Sequence, residues 1–109
     1  MMNIFTNSEI HKQIGTVYPG SEISVDFSYC PEVNITKFES PCDCSTPYDI
    51  RREHIVRIKY VPKDIPVHLI EQGRTEYEIA KQITVYFTHP SAPGIHEQKL
   101  LFTGVVKRR

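Results

Sequence analysis

The chain has 109 residues, with 13 basic and 13 acidic side chains and a formal net charge of zero. That length suits one domain and is enough to bury a core without disulfide or metal staples. The balanced charge lacks the clustered cationic surplus on which phosphate binding draws, so nucleic acid is excluded as the main partner.

Residues 1–9 read as an N-terminal arm or tail that precedes the domain. Ile4 and Phe5 stand there in an otherwise polar run, and two large apolar residues gain by leaving water. They are therefore counted as interaction residues that order on a neighbour. The start has neither the basic opening nor the long apolar stretch of a secretory signal, and no segment approaches a membrane span. The expectation is a chain made in the cytosol with no membrane partner.

From residue 10 onward the punctuation is that of a β protein. Eight prolines and five glycines recur at short intervals, leaving few gaps that hold an ordinary helix. A short strand is expected at His11 to Val17, followed by the Pro19-Gly20 turn. Ser21 to Tyr29 alternates cleanly, with Ile23, Val25, Phe27 and Tyr29 on one face and Ser24, Asp26 and Ser28 on the other, the pattern of a half-buried antiparallel strand. Val33 to Glu39 reads as another short strand. His54 to Val61 repeats the alternation with Val56, Ile58 and Tyr60 inward.

Pro62 to Tyr77 reads as a longer loop, because Pro62, Pro66 and Gly73 exclude a long regular element. Within it Val67, His68, Leu69 and Ile70 are apolar enough to add a strand or pack across an edge. Lys81 to His89 is the next strand, with Glu76 to Lys81 leading directly into it. Pro90 to Glu97 is expected as a protruding loop flanked by His89 and His96. The last strand, Lys99 to Val106, places Leu100, Phe102, Gly104 and Val106 on one face, and a glycine within a strand signals a bulge or a close backbone approach. Lys107 to Arg109 reads as a basic tail. These runs amount to an all-β single domain, an antiparallel β-sandwich of about seven strands over residues 10–106.

The three cysteines, Cys30, Cys42 and Cys44, are an odd count that does not read as an extracellular disulfide framework, so reduced thiols are expected. As a metal site Cys42 and Cys44 need further ligands, for which Cys30, His54 and His11 are the nearby candidates. As a redox pair they lack the Cys-x-x-Cys helix context that depresses a thiol pKa. The plainer reading turns one cysteine to the core as a small hydrophobe and leaves the other at a strand edge. His54 shares the phase of Val56 and Ile58 and reads as a satisfied residue at one end of the body. No Gly-x-Ser-x-Gly elbow, phosphate-cradling loop or His-Glu-x-x-His helix occurs, so neither catalysis nor a cofactor is expected.

The order Ile14-Gly15-Thr16-Val17, Pro19-Gly20, the Ile23 to Tyr29 strand, Ile35 to Ser40, Cys42-x-Cys44 and finally Phe102-Thr103-Gly104-Val105-Val106 resembles a family of small bacterial and phage immunoglobulin-like domains. That family has no assigned function and is related in fold to the Hydin-type, major-sperm-protein and PapD-like sandwiches. The resemblance spans roughly Ile10 to Val106. It implies an immunoglobulin-like sandwich in which the cysteine pair ends a strand. Asp43 and Ser45 stand where the family usually has glycine and threonine. Those two residues, and the missing secretory start, favour its cytosolic or phage-borne branch.

A sandwich without a catalytic constellation works by presenting surface, through edge-strand addition, loop docking or face packing. The expected interaction residues are Ile4, Phe5, Val67, Leu69, Ile70, Tyr77, His89 and His96. Tyr48, Tyr60 and Tyr86 are further tyrosine anchors, although Tyr60 shares its strand's apolar face. The resemblance implies a phage virion accessory, made in the host cytoplasm and bound to capsid or tail proteins as a decoration, collar or tail-associated protein, where lattice repetition adds avidity and homo-oligomers form on the assembly. The alternatives are a thiol-based metal or redox protein using Cys42 and Cys44 with Cys30, and a cytoplasmic adaptor that binds a host protein.

Overall fold

A computed structural model describes residues 10–41 and 44–108. In chain order its elements are β1 (His11–Val17), β2 (Ile23–Ser28), β3 (Asn34–Glu39), β4 (Ser45–Ile50), β5 (Ile55–Tyr60), α1 (Val67–Glu71), β6 (Glu76–His89) and β7 (Ala92–Lys107), with a 3-10 turn at Arg51–Glu53. The strands form two sheets, one ordered β1-β7-β6-β3 and the other β2-β5-β4. The fold is all-β and sandwich-like, as expected.

Alternation places the core. Val25 and Phe27 of β2, with Val56, Ile58 and Tyr60 of β5, point inward from one sheet; Ile83, Val85 and Phe87 of β6, with Leu100, Phe102 and Val106 of β7, point inward from the other, and all are buried. The layers meet edge to face where the Tyr60 and Phe102 rings approach with centroids 5.2 Å apart. Each such aromatic or branched side chain adds about 1.5–3 kcal/mol of burial, which holds the two layers together.

Four expectations need correction. The sheets are not wholly antiparallel, because β1 runs parallel to β7 from His11 opposite Leu101 to Val17 opposite Val106. β6 and β7 start earlier than expected and form one long hairpin, in which His89 pairs with Ala92. Pro90 to Glu97 is therefore a tight turn and a strand rather than a protruding loop; Pro93 lies on the stretch of β7 that has no second neighbour among the described strands, where a missing N–H costs no ladder bond. Val67 to Ile70 forms one helical turn instead of a strand, because Pro66 accepts from the N–H groups of Leu69 and Ile70, and Gly73, at φ 77°, ends the turn. Finally, β4 was hidden by Pro47, which an edge strand tolerates.

Candidate functional site

Register gathers particular loops at each end of the body. At one end β1, β5 and β7 finish while β2, β4 and β6 begin. Gly20 N–H donates to Pro62 O at 3.1 Å, and Arg108 N–H to Thr75 O at 2.9 Å, tying residues 18–22, 61–75 and the end of β7 into one cap.

The long loop of this cap is fixed from below. Ile65 is buried, its N–H held by the Asp64 carboxylate at 2.8 Å, and the Tyr77 hydroxyl donates to Lys63 O at 2.9 Å. Thus anchored, α1 holds Val67 outward at 69% exposure, with Ile70 also exposed and Leu69 half-buried. Tyr18 and Val61, on neighbouring segments, are further exposed apolar residues. A cleft of about 470 Å³ lined by Pro19, Gly20, Pro62, Asp64 and Arg108 adjoins them. Tyr77 itself packs against the core, and that burial raises its hydroxyl pKa; it serves as a strut beneath the loop.

His89 and His96 lie at the other end, on the tip of the β6–β7 hairpin. The 14 residues of β6 separate the two ends by about 43 Å, so Val67 and Ile70 cannot share a contact with these histidines. His89 Nδ1 accepts from Ser91 N–H at 3.1 Å and lies 2.7 Å from Ser91 Oγ, while the His96 ring packs on Phe87 at 5.5 Å. Both side chains shape the turn. Ile95 beside them is 69% exposed.

A polar cluster at this second end escaped sequence reasoning. The Tyr29 hydroxyl donates to Asp49 Oδ1 at 2.5 Å, and Arg51 Nη2 meets Asp49 Oδ2 at 3.2 Å. The Tyr29 ring meets His54 edge to face at 5.9 Å, and Tyr29 N–H donates to His54 O. His54 adopts φ 55° and closes the 3-10 turn on Arg51 O. Burial first, then the bond to Asp49, pushes the Tyr29 hydroxyl up to about 12. It stays protonated at neutral pH and acts as a fixed donor rather than an acid or base. Neither Tyr29 on its apolar face nor Asp49 in an unrecognised strand signalled this pairing.

On the outer face of the four-stranded sheet the Tyr86 hydroxyl donates to Glu39 Oε2 at 2.6 Å, and Lys37 Nζ lies 4.8 Å from the Tyr86 ring centroid. On the outer face of the other sheet Arg57 grips Asp26 through Nε at 2.9 Å and Nη2 at 3.1 Å. Tyr48 is exposed beneath Lys59, and Tyr60 is buried.

Cys30 and Cys44 lie apart. Cys30 is free and follows the end of β2, near His54, whereas Cys44 precedes β4, whose Ser45 lies level with the start of β2 through Tyr60. The length of β2 sets Cys30 and Cys44 about 20 Å apart. Cys44 is disulfide-bonded, which corrects the expectation of reduced thiols, and it packs partly against the core. Cys42, Ile4 and Phe5 lie outside the described residues. Among the described residues no group of three His, Cys, Asp or Glu side chains is placed to hold a metal ion.

No protein-family profile and no curated protein matches the chain. Among solved structures it is similar to an endo-fucoidan hydrolase of glycoside hydrolase family 107, at a TM-score of 0.51 and 12% identity over 96% of this chain. The chain spans 15% of that protein's length. At that identity the likeness concerns the fold alone.

Proposed function

We propose that this chain is a non-enzymatic immunoglobulin-like module that attaches to a larger protein assembly through the apolar cap at residues 61–75. The sheets support the immunoglobulin-like reading: β2-β5-β4 takes the order B-E-D and β3-β6-β7 the order C-F-G of that fold. Its most concrete form is a phage virion accessory docked on a capsid or tail protein. The observation that carries the docking reading is Val67, held 69% exposed on a loop braced by Ile65 and Tyr77. A braced loop loses little conformational entropy when it docks, so its apolar area counts toward affinity.

Co-sedimentation of the protein from its source, with mass spectrometry of what travels with it, tests this reading. A fixed stoichiometry to a capsid or tail protein is expected, weakened roughly tenfold or more by Val67→Asp with Ile70→Asp at unchanged melting temperature. Migration alone at the size of a small domain overturns it, and co-migration with a host protein replaces the virion by a cytoplasmic adaptor.

A further inference from the structure

The cleft beside the cap has walls that spend their backbone donors within the chain. Ser21 N–H donates to Tyr18 O at 3.2 Å, closing a turn with Pro19 second and Gly20 third, and Gly20 at φ 82° takes the conformation which that position demands. Gly20 N–H is used on Pro62 O, Val61 N–H on Cys44 O at 3.0 Å, Ile65 N–H on the Asp64 carboxylate and Arg108 N–H on Thr75 O. Pro19 and Pro62 have no N–H to give. A partner that adds as a β-strand needs a row of donors and acceptors, and these walls keep few donors. What they offer is rigid and apolar: two proline rings line the cleft, and a Cβ at Gly20 would meet nothing within 4 Å, so the space above it is open. Asp64 and Arg108, both exposed, add opposite charges to the lining, and among the described residues no ion pair joins either to another side chain.

We propose that this cleft takes a proline-containing segment of the docked protein in the polyproline II conformation, with a basic residue against Asp64 and an acidic one against Arg108. The segment belongs to the protein on which the cap docks, so it presupposes the cap as the docking surface. Polyproline II makes no internal hydrogen bonds, and each proline removes a donor, so such a segment loses little against walls that offer no ladder. Its stiffness keeps the entropy cost of binding low, and its rings stack on those of Pro19 and Pro62. The two charges, opposite in sign, select the flanking residues and admit one chain direction. A cleft of about 470 Å³ lies in the size range of small-ligand pockets, which suits a few residues of peptide.

Amide chemical shifts of the full chain, followed as peptide is added, test this. The probes are a run of prolines flanked by arginine and glutamate, the same run with the flanks exchanged, and a threonine-valine repeat with the same flanks. One order of the proline peptide is expected to shift Gly20, Asp64 and Arg108 saturably. Full-length Asp64→Asn, which keeps an oxygen to accept from Ile65 N–H, and Arg108→Gln are each expected to weaken that binding by about fivefold to tenfold. Absence of a saturable shift with either order, shifts confined to other residues, or unaltered affinity in both variants overturns the assignment. An equal response to the threonine-valine repeat overturns it in favour of a strand, and dimers by light scattering that exclude the peptide overturn it in favour of a second copy. If co-sedimentation holds while the peptides fail, the cap docks through Val67 and Ile70 without the cleft, and the polyproline assignment alone falls.

Discussion

Tyr29 shows how one hydroxyl fastens the end of the body. Its ring is buried with the core while its oxygen reaches the Asp49 carboxylate, so the end of β2 is tied to β4 across the strand between them. Tyr29→Phe keeps the ring and removes the donor, and is expected to cost about 1–2 kcal/mol in urea unfolding. The same bond gives a pH signature. The folded hydroxyl is pushed up to about 12 from an ordinary value of 10, so the folded state holds this proton more tightly; its stabilisation is complete below pH 10 and is lost as pH rises through 12. Melting temperature measured between pH 9 and 12 is expected to fall less steeply in Tyr29→Phe. Asp26 acts in the opposite direction. The hydrogen bond from Arg57 holds its carboxyl below the ordinary 3.8, so that contribution is present above pH 4 and is lost on acidification. Asp26→Asn is expected to flatten the acid limb of the melting curve.

At the scale of elements, the junction of β1 with β7 depends on an absent side chain. A Cβ at Gly104 would lie 2.6 Å from Ile14 Cγ1 and 2.8 Å from Gly15 O. The bulge at Gln13 to Gly15 turns Ile14 into the space that Gly104 leaves. Gly104→Ala is expected to destabilise by about 1–3 kcal/mol in thermal unfolding, and by less when combined with Ile14→Ala, because the carbonyl conflict alone remains. The sequence already marked Gly104 as a close approach, and alternation exposed β2, β5 and the inner faces of β6 and β7, because one-sided burial imposes a period of two. It concealed β4, where Pro47 masks an edge strand, and the parallel pairing of β1, since strand direction leaves no trace in hydropathy. Val67 and Ile70 were legible as surface candidates because the prolines around them ruled out a long buried element. Tyr77 was not legible as a strut, because its role depends on a carbonyl at Lys63, far along the chain.

Taken whole, the molecule separates two properties that a small β protein must keep apart, an apolar surface and its backbone edges. The exposed apolar residues Val67 and Ile70 sit on a helical turn whose donors are used internally, so the cap offers side chains but no strand edge. The strand edges carry other residues: Lys37 and a bulge on β3, Pro47 on β4. If those devices keep the chain from associating with itself, removing them should act where removing apolar surface does not. Lys37→Val with Pro47→Val removes the charge from the β3 edge and the proline from the β4 edge, leaving the β3 bulge in place. That variant is expected to associate at concentrations where the unsubstituted chain is monomeric, read as a rise in weight-average mass by light scattering and in thioflavin fluorescence on prolonged incubation. Val67→Asp is expected to leave both signals unchanged. Equal association in the two variants would locate self-association at the cap, and no association in either would show that the bulge on β3 and the twist of the sheets suffice without the proline and the charge.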